Sequence, residues 1–80
     1  RLNEAYDEAV ARLEQALAIF EESQAHWQIG RTLVEMAELA QAQADQAGAQ
    51  AHLTRALAEF ESIGAAPDME RTRAALEALD

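Results

Sequence analysis

Arginine recurs at matching places in two parts of the chain, because the dipeptide Arg31-Thr32 appears again as Arg71-Thr72. A guanidinium group carries several N–H donors in one plane and can bind a carboxylate through two hydrogen bonds. The two arginines therefore indicate contact with an acidic group of a ligand. Pairing of each arginine with a neighbouring acid, such as Glu35 or Glu70, is one alternative, and duplication of the sequence alone is another.

The other side chains with binding chemistry are Trp27 and the two histidines. Trp is typical of the energetic centres of protein interfaces, so Trp27 is a candidate hot spot. A Trp beside a loop at the head of a helix more often fills a packing gap, and this is the favoured alternative. His26 and His52 lie far apart in sequence with no carboxylate or thiol at ligand spacing, and we predict no metal site.

Motifs for catalysis are not found in this sequence. Neither serine lies in a nucleophile motif, and there is no glycine-rich phosphate loop. The acids Glu35 and Glu38 could form a pair for proton transfer, but we expect them to be solvated on the outside of a helix. We predict a protein that is not an enzyme and has no cofactor.

The elements that position these residues are predicted to be helices. Apolar residues recur at helical spacing, and about a quarter of the chain is Ala, which favours closely packed helices. Asp45 is expected to cap a helix, Gly64 to end one in left-handed geometry, and Pro67 to occupy a first turn. The sequence predicts an all-α fold of four antiparallel helices over about residues 3–22, 26–43, 46–62 and 67–79.

The chain also repeats itself. A single constant shift aligns Ala9–Glu21 with Ala49–Glu61, and the register continues without a gap until Leu39 falls on Leu79. A fixed period of about 40 residues is typical of stacked supersecondary units, which bury their apolar faces against their neighbours. We therefore treat residues 1–80 as a single repeat segment and expect it to be part of a longer protein.

Two stretches of the sequence resemble the tetratricopeptide repeat (TPR) family. The run from Ala5 to Leu17 is similar to the second helix of that repeat, in which small residues alternate with a large one ahead of Ala-Leu. Part of this pattern recurs 40 residues later in the chain. In addition, residues of the second predicted helix align with the positions where the first helix of the family usually has Trp, Leu, Gly and Tyr. The recurring residues are Ala44, Asp45, Ala49, Leu53, Ala56 and Leu57, and those of the second helix are Leu33, Met36, Ala37 and Ala40. The period exceeds the usual value of about 34 and resembles long variants in bacterial signalling and regulatory proteins.

The resemblance implies a TPR-like α-solenoid that binds a peptide or a protein in a groove lined by the first helix of each pair. The groove positions that it selects are Arg31, Val34, Glu38 and Gln41 on the second helix and Arg71, Ala74 and Ala78 on the fourth. The family's clamp for a terminal carboxylate uses Lys and Asn at groove positions, and this chain has neither there. Recognition of chaperone tails is therefore not expected.

Charge and composition limit the partners further. The chain has six Arg, no Lys and fifteen acids, for a formal charge of −9, so binding to nucleic acid or to an anionic membrane is not expected. There is no Cys, no apolar run of about 18 residues, and no segment of the signal-peptide type, and we expect a cytoplasmic location. The alternative to a scaffold is a self-association module, in which exposed terminal helices form a homodimer or a stacked superhelix.

Overall fold

The computed structural model describes the backbone of residues 2–79 and the side chains of residues 4–79. Arg1 and Asp80, which the predicted segment includes, lie outside the described residues. Four helices are present, α1 (Leu2–Glu22), α2 (His26–Ala42), α3 (Gln46–Ser62) and α4 (Ala66–Ala78). No strand occurs between residues 2 and 79, so the predicted all-α fold with four helices is confirmed. The predicted bounds differ from these by a single position at most.

Three loops of the same length and geometry connect the helices. Each has one residue in the left-handed region, with φ of 55° at Gln24, 58° at Ala44 and 65° at Gly64. After each of these the next amide donates back to a carbonyl of the preceding helix, which is the Schellman arrangement. The bonds join Ala25 to Phe20 at 2.9 Å, Asp45 to Ala40 at 2.8 Å and Ala65 to Phe60 at 3.0 Å. The loop geometry is thus the same after α1, α2 and α3. The sequence similarity has a longer period, because it relates α1 to α3 and α2 to α4.

Residues at the helix start explain where α3 and α4 begin, but not where α2 begins. The amide of Gly48 donates to Asp45 Oδ1 at 3.0 Å, so Asp45 caps α3 as predicted. Pro67 lies in the first turn of α4, where its missing N–H is not needed. Ala25, which precedes α2, makes no side-chain cap. We infer that the start of α2 is determined by the loop and by packing.

The core consists of two apolar clusters, both of which join α2 to α3. One contains Ile29, Leu33, Ala56 and Phe60, and the other contains Ala37, Ala40, Ala49, Leu53 and Leu79. Side chains of α1 and α4 cover these clusters from the two sides. The Cα atoms span 39 × 32 × 16 Å, a flat shape in which α2 and α3 are central and α1 and α4 are peripheral.

Gly30 permits the closest approach between α2 and α3. A Cβ atom at this position would lie only 2.6 Å from Cε1 of Phe60, closer than real atoms approach. The ring of Phe60, which is 1% exposed, therefore packs directly against the backbone of α2. Close contact with α3 therefore accounts for a Gly inside α2. This contact fixes how α2 and α3 pack beneath the candidate site.

Candidate binding groove between α2 and α4

Three of the predicted groove residues meet around one pocket between α2 and α4. Arg31 and Val34 of α2 and Arg71 of α4 line this cavity, whose volume is about 60 Å³. Its floor is apolar, since it is formed by Val34 together with Leu53 and Phe60 of α3 and Ala75 of α4. We call it the arginine pocket, and Asp68 and the buried Thr72 also line it.

Two other predicted residues lie toward the opposite end of the same helices. Gln41 and Ala78 line a second opening of about 310 Å³ with Ala44, Gln46 and Leu79. The side-chain amide of Gln46 donates to the carbonyl of Leu79 and so ties the start of α3 to the end of α4. The groove therefore consists of two separate openings along α2 and α4, and the arginine pocket is the one with charged side chains.

Glu38 and Ala74, the remaining predicted residues, do not line either opening. Glu38 lies with Glu35 at the edge of α2 that faces α1, where both line a wider opening of about 370 Å³. A helix advances about 100° per residue, so Val34 and Gln41 turn toward α4 while Glu35 turns toward α1. Ala74 is exposed on the surface of α4.

Asp68 organises the rim of the arginine pocket, although sequence reasoning did not select it. Its Oδ1 accepts a hydrogen bond from Arg71 Nη2 at 2.7 Å, and its Oδ2 accepts one from Trp27 Nε1 at 3.2 Å. The Asp68 side chain is only 14% exposed, whereas that of Arg71 is 70% exposed. Asp68 therefore holds the starts of α2 and α4 together. Trp27 and Asp68 are far apart in the chain, so no local pattern could have indicated their contact.

Of the two arginines, only Arg71 pairs with a neighbouring acid, which is the alternative that the sequence offered. Arg71 contacts Asp68 and not Glu70, and among the ion pairs of the described residues none includes Arg31. The Arg31 guanidinium carbon instead lies 5.8 Å from the centre of the Trp27 ring, within the range of a cation–π interaction. Arg31 is thus held in position while its N–H donors remain available to a ligand.

Trp27 makes contacts with both α2 and α4. Its indole N–H is bonded to Asp68 and its ring supports Arg31, so it has a structural role. It is also 46% exposed, which is unusual for a Trp that only fills a gap. The Trp27 side chain is therefore accessible next to Arg31.

Other polar groups of the described residues are arranged without a metal site. No cluster of three or more His, Asp or Glu with metal-binding geometry occurs among them. His26 Nδ1 lies 2.8 Å from Glu59 Oε1, a contact between α2 and α3 that the sequence spacing did not reveal. Every buried side-chain nitrogen or oxygen in the described part of the chain has a hydrogen-bond partner. None of its helices is long and apolar enough to cross a membrane.

The fold and the groove define an all-α protein in which alternate helices frame a small charged pocket. We compared the chain with models of protein families, with characterised proteins and with solved structures, and none of these matched it. The function therefore has to be argued from the geometry of the arginine pocket and from the sequence resemblance.

Proposed function

We propose that the protein is a noncatalytic, TPR-like scaffold that binds a peptide or an extended segment of a partner protein in the groove between α2 and α4. The observation that carries this proposal is the arginine pocket, which Arg31 and Arg71 line together with apolar residues, and in which Arg71 also pairs with Asp68. A guanidinium pair can bind a carboxylate, and the floor can accept an apolar group beside it. From the resemblance, we place the segment within a larger cytoplasmic protein that has a regulatory or signalling role.

The size of the arginine pocket restricts what can be bound. Its volume of about 60 Å³ is far below the volume of about 310 Å³ of the second opening along α2 and α4. The apolar group of the ligand must then be small, such as the side chain of Ala or Val. The preferred anchor is an acidic residue next to such a small residue in an extended peptide.

The charge of the whole chain shapes the rest of the partner. With a formal charge of −9, the protein repels a strongly acidic peptide at long range. At physiological ionic strength this repulsion is screened over about 8 Å, whereas the contact with two guanidinium groups is not. The best ligand is therefore a peptide with one acidic anchor and basic residues on both sides of it.

Trp27, the only Trp in the chain, supplies a direct probe of binding. Peptides that carry Asp or Glu next to Ala or Val within a Lys-rich sequence should change its fluorescence on titration, and their amidated forms separate side-chain from terminal carboxylates. Arg31→Ala and Arg71→Ala should each weaken binding at least about tenfold, as expected for the loss of an interface anchor. Arg73→Ala is the matched control, because Arg73 contacts Glu61 outside the pocket.

The comparison of these variants decides the proposal. Equal affinity of the wild type, Arg31→Ala and Arg71→Ala for every peptide that binds would contradict the assignment of the groove. A loss shared by Arg73→Ala would indicate a general effect of charge and would also contradict it. Retention of helical circular dichroism in each variant shows that the fold is intact.

Self-association remains the second candidate, and it has its own supporting observation. Ile19 is 65% exposed on α1, the largest exposure among the large apolar residues of the described chain. Light scattering behind a sizing column, over a hundredfold range of concentration, separates the two functions. A constant monomer mass supports the open groove, and a mass that grows with concentration supports self-association.

A further inference from the structure

The helices α1 and α3 carry the same apolar residues but are enclosed to different extents. In α3 these residues are at most 2% exposed, whereas their counterparts in α1 are only partly buried. The pairs are Ala49 and Ala9, Leu53 and Leu13, Ala56 and Ala16, and Phe60 and Phe20. The difference arises because α3 packs against both α2 and α4, whereas α1 packs mainly against α2 and reaches α3 through the contact of Glu21 with Arg55. One helix is thus missing from the surroundings of α1.

What α1 lacks is an equivalent of the contact that α3 makes with α2. Residues of α2 that are buried against α3 include Ile29, Leu33 and Ala37, and Gly30 admits the ring of Phe60. On α1 the corresponding surface is open, with Ile19 exposed and with Ala9 and Leu13 lining the opening of about 370 Å³. We call this surface the open face of α1, defined by Ala9, Leu13, Ala16, Ile19 and Phe20.

We propose that the open face of α1 is a docking site for one helix of a partner, and that the contact side of this helix resembles that of α2. The α2–α3 contact specifies its chemistry, with Gly next to Phe20, aliphatic or Ala side chains along Leu13 and Ala16, and an apolar residue beside Ile19. Glu35, Glu38 and Arg12 border the same opening, so the adjacent flank of the partner helix would complement them with Lys or Arg beside the two acids and without a cation beside Arg12.

A second copy of this chain is a poor source of that helix. In head-to-tail stacking, α4 of one copy would take the place of α2 against α1 of the next. At the positions of Gly30, Leu33 and Ala37, however, α4 has Glu70, Arg73 and Glu77. Glu70 would collide with Phe20 as any side chain at position 30 would with Phe60.

Arg73 and Glu77 add a second obstacle to stacking. Their counterparts Leu33 and Ala37 are each 1% exposed, so both charges would enter a buried interface. The α2–α3 contact offers no ionic partner at either position, and an unpaired buried charge is strongly unfavourable. The helices α1 and α4 therefore differ, since α1 can accept a helix and α4 has charged residues at the corresponding contact positions. This inference does not depend on the function of the arginine pocket.

A fusion that supplies the missing helix tests the proposal. Residues 1–5 are replaced by a copy of residues 26–45, so that the copy leads directly into Tyr6, which corresponds to Gln46. The matched control contains the same copy with G30E, L33R and A37E, which give it the contact residues of α4. Because stacked repeats are stabilised by contacts between neighbours, we expect the first fusion to melt about 10 °C above the control.

Each outcome of this experiment bears on the proposal. A higher Tm for the unaltered copy, together with a gain of helical circular dichroism, supports it. Equal Tm values for the two fusions would overturn it, because the face would then not distinguish an α2-like helix. The unmodified chain could instead form oligomers that Leu13→Glu abolishes. This result would overturn the proposal, because a second copy of the chain, and not a helix of another protein, would then occupy the open face of α1.

Discussion

The helices α1 and α3 show that one sequence pattern can produce two degrees of burial. Both carry Ala, Leu, Ala and Phe at the same spacing, yet Phe60 is 1% exposed and Phe20 is only partly buried. The pattern determines which face of a helix is apolar, because helical periodicity places these residues on one side. The number of neighbouring helices determines how much that face contributes to stability.

The largest expected effect comes from the pair Phe60→Ala and Phe20→Ala. Removal of a fully buried Phe costs about 3–5 kcal/mol, so Phe60→Ala should destabilise the protein by that amount. Phe20→Ala should cost roughly half as much, because less apolar surface is lost where water already has access. Urea unfolding followed by circular dichroism measures both.

Equal losses for the two Phe variants would contradict the comparison, since they would mean that α1 and α3 contribute equally to the core. The slope of the transition must be checked as well. A changed slope would indicate a loss of two-state unfolding rather than a simple loss of stability.

A smaller effect is expected at Gly30, whose counterpart in the second copy of the repeat is Glu70. Gly30→Ala places a Cβ atom against the buried ring of Phe60, and overpacking of this kind costs about 1–3 kcal/mol. Glu70→Ala is the matched control, because Glu70 is exposed and should change stability by less than about 0.5 kcal/mol. Stabilisation by Gly30→Ala, as expected for an unconstrained helix position, would show that Phe60 adjusts freely.

Local signals explain why the helices could be predicted and the rim of the groove could not. Gly64, Asp45 and Pro67 each act within a few residues, and the structure has all three in the predicted roles. The bond between Trp27 and Asp68 joins residues from different repeats, so its geometry depends on how α2 and α4 pack. Arg31 and Arg71 could be selected because they recur in the repeat, whereas Asp68, which binds Arg71, could not be selected in this way.

The left-handed residues of the loops show a second limit of local signals. Gly64 is a residue type that favours positive φ, whereas Gln24 and Ala44 are not, although they adopt almost the same angle. Nothing at residues 24 and 44 indicates this conformation when each is read alone. The equal spacing of the three loops along the chain is the signal that could have revealed it.

These loops provide a prediction of intermediate size. Gly64→Ala should destabilise the protein by about 0.5 kcal/mol, because the strain of a side chain in the left-handed region exceeds the gain from a less flexible unfolded chain. Ala44→Gly removes the same strain but adds flexibility to the unfolded chain, and should stabilise by about 0.5 kcal/mol. Thermal unfolding of the two variants should therefore shift in opposite directions. Shifts of the same sign would indicate that the two loops are not equivalent in energy.

The smallest expected effect concerns the one ion pair, among the described residues, that joins α1 to α3. Arg55 contacts Glu21, and their side chains are 44% and 43% exposed. A double-mutant cycle with Arg55→Ala and Glu21→Ala should give a coupling of about 0.2–1 kcal/mol that decreases with added salt. A larger coupling that does not respond to salt would show that charge, and not only α2, holds α1 in place. The difference in buried apolar surface between α1 and α3 would then underestimate the contribution of α1 to the free energy of unfolding.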